Sequence, residues 1–230
     1  MGSLEYGPHE EGAHIESEIS GIRVRWHDLV PGRLGLWVPA DPNAVLDGMD
    51  DEALRAADER APYFATLWPS GEALARHVLA ADGLRGRRVL DLGCGVGAVG
   101  LAAGVVGARV TFFDWEPRSL EFVEASARRL GLAPEALVAG DWREPGALGR
   151  FDLVLAADVL YERGNVEPVA RFLADHLAEN GEAWLADPRR FEAALLPAAA
   201  EAAGLRLHGP HVLPDRPQGA RVQLWRLTRS

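Results

Sequence analysis

Three carboxylates in this chain are spaced so that they could grip one small ligand. Asp91 precedes a loop with three alternate glycines, Gly93-Cys94-Gly95-Val96-Gly97. Asp114 closes the apolar run Val110-Thr111-Phe112-Phe113, and Asp141-Trp142 follow Leu137-Val138-Ala139. A loop with few side chains lets a ligand lie against its backbone N–H groups, and the positive end of a helix beginning there adds attraction. The chemistry expected is the holding of a nucleoside-type cofactor. Asp114 can accept hydrogen bonds from ribose hydroxyls. Asp141 can bind an adenine amino group, while Trp142 covers the ring or offers its backbone N–H.

Two cofactors compete for this loop. Gly95-Val96-Gly97-Ala98-Val99-Gly100 fits the dinucleotide fingerprint G-x-G-x-x-G, which keeps an NAD-dependent oxidoreductase open. A pyrophosphate, however, is anionic, and Asp91 beside it is unfavourable. An adenosyl sulfonium carries an α-amino group that Asp91 can help hold through the loop. Each residue also has a plainer role. Asp91 can cap the next turn, Asp114 can cap the helix after Pro117, Trp142 can be core, and Cys94 can be a small loop residue.

Positioning these groups takes a series of parallel strands. The patterns predict strands over 88–92, 109–113, 136–139, 152–156, 182–186, 205–209 and 221–227, and helices over 98–106, 117–130, 166–179 and 191–203. Continuous apolar strands alternating with helices mean an α/β fold, doubly wound. The three acids then fall at the carboxyl ends of three successive strands, where open α/β sheets bind ligands. After His208 there is no room for a helix, so an antiparallel C-terminal hairpin closes a mostly parallel seven-stranded sheet. Before residue 61 we expect an N-terminal extension. It has a loosely held start, a hairpin between Ile15 and Val38 turning at Pro31-Gly32, and a short helix over Asp50–Arg60. An aromatic connection, Tyr63 to Trp68, leads to a helix over Glu72–Ala81 that Ser70 can cap. The expected division is 1–60 for the extension and 61–230 for the Rossmann-like domain.

Composition narrows the functions. Of 230 residues, 48% are hydrophobic and 25% charged, which is ordinary for a globular fold. A net charge of -10 disfavours broad nucleic-acid binding. All 24 basic residues are Arg, so lysine catalysis is excluded; codon bias accounts for the missing Lys. Cys94 is the sole cysteine and the histidines show no ligand spacing, so neither a disulfide nor a metal is expected. No apolar run can span a bilayer and the start is polar, so the expected location is the cytoplasm, with no membrane partner.

Asp91 to Gly97 resembles the first motif of class I, seven-β-strand, S-adenosylmethionine-dependent methyltransferases. The resemblance covers about residues 60 to 230. At the next strand end, Ala157-Asp158-Val159-Leu160-Tyr161 resembles the Asp-x-x-Tyr protein lysine methyltransferases. Within that family it is similar to the branch that acts on the electron-transfer flavoprotein β subunit, bacterial relatives included. Trp68-Pro69-Ser70-Gly71 and Trp184 to Arg189 support it. The resemblance implies S-adenosyl-L-methionine as cofactor and a protein lysine as acceptor; a small-molecule amine is the alternative. It places Trp68, Trp142 and Ala157 at the cofactor, and Asp158 and Tyr161 at the acceptor nitrogen. The candidate cofactor set is thus Trp68, Asp91, Gly93, Cys94, Gly95, Gly97, Asp114, Trp115, Asp141, Trp142 and Ala157. Asp158 would stabilise positive charge arriving on nitrogen, and Tyr161 would wall the alkyl stem. Asp187-Pro188-Arg189-Arg190 could shape the acceptor mouth, though Arg189 and Arg190 read as a solvated pair. Ser126, where many relatives of the fold carry Asn, reads as a surface change.

Overall fold

The computed structural model describes residues 16–41, 45, 63–214 and 219–230. Within them lie two sheets. The larger is built from β4 (Arg88–Leu92), β5 (Arg109–Asp114), β6 (Ala136–Ala139), β7 (Phe151–Ala157), β8 (Leu177–Asp187), β9 (Leu205–Val212) and β10 (Gln223–Arg229), in the order β6-β5-β4-β7-β8-β10-β9. β4 pairs in parallel with both β5 and β7, β5 with β6, and β7 with β8, whereas β10 runs antiparallel to β8 and β9. This is the expected seven-stranded sheet with its reversed C-terminal pair. The order turns outward in both directions from β4, so the crevice at its carboxyl end is the natural ligand site.

Helices cover both faces: α1 (Pro69–Ala80), α2 (Ala98–Val105), α3 (Pro117–Leu130), α4 (Val166–His176) and α5 (Leu196–Ala202). One core cluster joins α1, α2 and α3 with Val89, Val110, Phe112 and Leu155. The other packs Leu90, Leu92, Phe113 and Val154 against Phe172, Leu173 and Leu196. Alternate residues of each strand therefore feed opposite cores, which is why the strands read as unbroken apolar runs. α2 lies very close to the sheet: a Cβ on Gly100 would sit 2.3 Å from Phe112 and 2.8 Å from Asp91.

Several boundaries differ from the sequence reading, each for a local reason. The helix expected over 191–203 is split into a 3-10 turn (Phe191–Leu195) and α5, because Pro197 has no N–H to continue a helix and suits a helix's first turn. α4 stops at His176, since Leu177 already pairs with Phe151 as the start of β8. Ser70 is not the cap of α1. That helix begins at Pro69, Trp68 occupies the cap position, and the Ser70 hydroxyl is buried without a hydrogen-bond partner. The expected helix over 50–60 and the loosely held start lie outside the described residues.

The smaller sheet holds the expected hairpin, β2 (Ile22–Val30) and β3 (Leu34–Pro39), plus a third antiparallel strand, β1 (Glu16–Ile19). Every residue of β3 is buried. Ile22, Val24, Leu34 and Leu36 share the core that contains Phe122 and Val123 of α3. The Trp37 N–H donates to Ser126 Oγ at 2.9 Å, and Ser126 is wholly buried. Ser126 is therefore an internal fastening between the small sheet and α3, not a surface position.

Candidate functional site

The carboxyl ends of β4, β5, β7 and β8 open on a cavity of about 550 Å³, a size that suits a small organic ligand. Gly93 and Gly95 line it, with φ of 65° and 51°. A Cβ on Gly95 would come within 3.0 Å of the Phe64 carbonyl oxygen, and one on Gly93 within 3.0 Å of Val159. Both positions thus keep the loop backbone open to whatever lies in the crevice. Asp114 and Trp115 line one side, and Trp142 lines it from the segment after β6. Asp114 is held from both ends: Oδ2 accepts the Gly95 N–H at 2.8 Å and Oδ1 accepts the Glu116 N–H at 3.0 Å. The carboxylate faces the cavity and retains acceptor capacity for a sugar hydroxyl. Burial pushes this carboxyl up to about 6. The cap expected of Asp114 is supplied by Glu116, whose side chain accepts the Arg118 N–H at 3.1 Å. The buried Trp142 Nε1 has no hydrogen-bond partner. Open glycine backbone, a fixed carboxylate and an indole fit a nucleoside bearing an amino-acid tail.

The opposite wall is formed by Ala157, Asp158, Val159, Tyr161 and Glu162. Asp158 follows β7 in a left-handed conformation, φ 58°, and its N–H donates to the Ala186 carbonyl at 2.9 Å. That bond ties the turn after β7 to β8. Asp158 Oδ1 accepts from Arg190 Nε at 2.6 Å, while Oδ2 is buried with no hydrogen-bond partner. The Arg190 guanidinium lies 5.7 Å from the Trp68 ring centroid. Tyr63 packs edge-on against Trp68 (6.0 Å) and Tyr161 (5.7 Å), so three aromatic rings frame this end of the cavity. Burial raises the Tyr161 hydroxyl to about 12, so it stays protonated and able to donate. Beneath it, Asn165 is buried and takes a 3.0 Å hydrogen bond from Arg143. Among the described residues no group of His, Cys, Asp and Glu could hold a metal.

A model of the lysine methyltransferase family matches residues 49–195, more than half of the chain. The chain belongs to this family. The electron transfer flavoprotein beta subunit lysine methyltransferase of Mus musculus is 30% identical over 132 residues, covering 56% of this chain and 51% of its own length. The protein N-lysine methyltransferase METTL21A of Mus musculus is 31% identical over 136 residues, covering 56% of this chain and 62% of its own. The chain thus spans about half to three-fifths of the length of these curated relatives. Among solved structures, a TehB-like SAM-dependent methyltransferase from Corynebacterium glutamicum superposes with a TM-score of 0.57 at 21% identity, covering 83% of this chain and 100% of that one. The shared feature there is the fold.

In this lysine methyltransferase fold, not every candidate residue reaches the cavity. Trp68, Gly93, Gly95, Asp114, Trp115, Trp142, Ala157, Asp158 and Tyr161 line it; Asp91, Cys94, Gly97 and Asp141 are not among the lining residues. Asp91 Oδ2 accepts the Gly100 N–H at 2.7 Å, capping α2 from the preceding strand, and burial lifts its carboxyl to about 7. Gly97 supplies no side-chain cap of its own, so a buried carboxylate does that work instead. Cys94 is buried with Sγ 3.7 Å from Ser119 Oγ, and burial holds its thiol well above the usual range. Asp141 accepts the Arg143 N–H at 2.9 Å and pairs with that guanidinium at 3.5 Å. Sequence reasoning did not place Tyr63, Phe64, Val159 or Glu162 at the site, and it offered Arg190 only within a segment that could shape the acceptor mouth. For Tyr63 and Phe64 the signal was available, since both lie in the aromatic segment that carries Trp68. Arg190 corrects the reading of a solvated pair. Arg189 is exposed, but Arg190 turns inward onto Asp158.

Proposed function

We propose that this chain transfers a methyl group from S-adenosyl-L-methionine to a lysine side chain of another protein. The observation that carries this reading is one cavity holding both halves of the chemistry. The glycine loop and Asp114 lie at one end, and the Asp158 carboxylate, framed by Tyr161, lies at the other. Membership of the lysine methyltransferase family supports a lysine over a small-molecule amine, and it supports this donor over NAD. We read residues 61–230 as the catalytic domain and 1–60 as an extension. We place the protein in the cytoplasm, with which its one buried, free cysteine is compatible. No helix among the described residues is long and apolar enough to cross a membrane.

When bound, the cofactor supplies an electrophilic methyl group on a positively charged sulfur. Gly93 and Gly95 would leave room for it, Asp114 would take the ribose hydroxyls, and Trp68, Trp115, Trp142 and Ala157 would line its pocket. Asp91, Cys94, Gly97 and Asp141 act through the shape of the loops. The attacking amine must be neutral, and it becomes cationic as the carbon–nitrogen bond forms. Asp158 stabilises that developing charge, in a site where fixed charges act strongly. Tyr161 walls the alkyl stem, and its hydroxyl oxygen accepts an N–H of the amine, which leaves the nitrogen lone pair free to attack. Holding donor and acceptor in line contributes several kcal/mol, on the order of what attack geometry gives generally.

The test has two stages. First, the melting temperature is measured with S-adenosylhomocysteine, with NAD, and with neither. A rise with NAD alone overturns the cofactor assignment. Second, the protein is incubated with methyl-labelled S-adenosylmethionine and a lysate, and the labelled species are digested. Label on protein lysine supports the reading; label confined to small molecules overturns the acceptor assignment. The chain itself has no lysine side chain, so it contributes no lysine label of its own.

A further inference from the structure

The Asp158–Arg190 pair poses a problem for any acceptor. The only oxygen of Asp158 without a partner, Oδ2, is buried from solvent, and the other, Oδ1, carries Arg190 Nε at 2.6 Å. An amine entering the cavity therefore meets a carboxylate whose approachable oxygen is occupied. The occupant is itself a cation on an alkyl stem. It lies near the face of Trp68, and its side chain is one-third exposed, against 4% for Asp158.

We propose that Arg190 is an internal competitor for the acceptor site: it holds Asp158 while the site is empty and is exchanged for the incoming lysine amine. This rests on the methyltransferase reading above. The backbone on both sides of the pair is built for it. Asp158 (φ 58°) and Arg189 (φ 72°) are two of the three described non-glycine residues with positive φ, and they sit in the adjacent turns after β7 and β8. Such conformations cost energy and persist where the surroundings impose them. The Arg190 N–H is fixed to Asp187 Oδ1 at 2.7 Å, so the main chain stays in place while the side chain is free to leave.

The exchange is cation for cation. A lysine amine arrives protonated at neutral pH, so the buried carboxylate is never left bare; the bound ammonium gives its proton to water before the nitrogen attacks. Arg190 also sets a threshold. A group that cannot displace a guanidinium from a charge-assisted hydrogen bond is kept out, which favours acceptors held by further contacts outside the cavity.

The experiment uses the full chain saturated with S-adenosylhomocysteine and Nα-acetyl-L-lysine methylamide as the amine probe, titrated calorimetrically. Removing a competitor raises apparent affinity, whereas removing a merely structural contact lowers it or leaves it alone. Arg190→Ala is expected to bind the probe about fivefold or more tightly than wild type, and Arg190→Lys to stay within about twofold. Equal or weaker binding by Arg190→Ala, or none, overturns the proposal. A second measurement needs no variant that must fold. In the wild type, the Arg190 Nε–H nitrogen resonance is expected to leave its hydrogen-bonded position as probe is added. A resonance that stays put while probe binds overturns the exchange. Failure of S-adenosylhomocysteine to bind the wild type removes the methyltransferase reading, and this inference with it. Binding of that ligand without the Arg190 effects removes the inference alone.

Discussion

The two ends of the cavity both carry buried acids at strand ends, yet they are wired differently. At the β4–β5 end, Asp91 accepts from the Gly100 N–H, and Asp114 accepts from the N–H groups of Gly95 and Glu116. Their partners are backbone, cannot move away, and define the loop. At the β7–β8 end, Asp158 and Asp187 each leave one oxygen buried and unpartnered, and the Asp158 counter-charge is a flexible arginine. Backbone partners make a permanent cradle; a side-chain partner makes an exchangeable one. An acid at a strand end is thus not assigned by its position alone. Backbone partners fix where an acid points; whether it meets a ligand depends on whether it faces the cavity, as Asp114 and Asp158 do and Asp91 does not.

The largest effect should come from the exchangeable end. Asp158→Asn keeps the shape but removes the charge that meets the developing cation. Methyl transfer should fall roughly a hundred- to a thousand-fold, by analogy with loss of one preorganised electrostatic contact. Affinity for S-adenosylhomocysteine, read by calorimetry, should stay within about twofold. A parallel loss of cofactor affinity would erase the distinction between the two ends.

The second effect separates acids within the permanent end. Asp114→Ala should weaken S-adenosylhomocysteine binding by about 10- to 100-fold, from charge-assisted hydrogen bonds worth roughly 1.5–3 kcal/mol. Asp91→Asn should leave the affinity near that of the wild type, because its carboxylate faces α2. Equal losses in both variants would place Asp91 at the ligand after all.

Asp91 should instead appear in the pH dependence of stability. Burial raises its folded carboxyl to about 7, whereas an unfolded Asp titrates at about 3.9. The native state keeps a proton that the unfolded chain has lost across that window. Its contribution is complete below about pH 4 and fades as pH rises through about 7. Wild type and Asp91→Asn, unfolded in urea at about pH 5 and about pH 7.5, should therefore converge or cross. The wild-type value should drop relative to the variant by on the order of 2 kcal/mol at the higher pH. A constant difference would mean that Asp91 does not titrate in this range.

Much of this arrangement was legible before any coordinates. Continuous apolar runs gave away the parallel strands, and alternate glycines after Leu92 marked the loop, because few other sequences allow backbone to turn that tightly. Trp68 and Asp158, far apart in the chain, were brought together by likeness to a family. What stayed hidden was tertiary. No local pattern tells that Arg189 adopts a left-handed turn that sends Arg190 inward while Arg189 itself remains exposed. Nor can spacing show which way Asp91 points, since a residue before a glycine loop can face either the ligand or the new helix. β1 was missed because Glu16–Ile19 is short and becomes a strand only by pairing with β2.

The smallest expected effect tests a third region against both ends. The small N-terminal sheet packs on α3 as well as on α1, and Ser126 Oγ takes the Trp37 N–H inside the α3 contact. Ser126→Ala leaves this buried donor unpaired, at a cost of about 1 kcal/mol in stability. α3 begins three residues after Asp114, yet Ser126 lies more than two turns along it, on the side that meets β3. Cofactor affinity and methyl transfer should therefore be unchanged within about twofold while the urea midpoint falls. A loss of cofactor affinity larger than the loss of stability would mean that the sheet sets the position of the Asp114 carboxylate through α3. The permanent cradle would then begin at β3 rather than at β4.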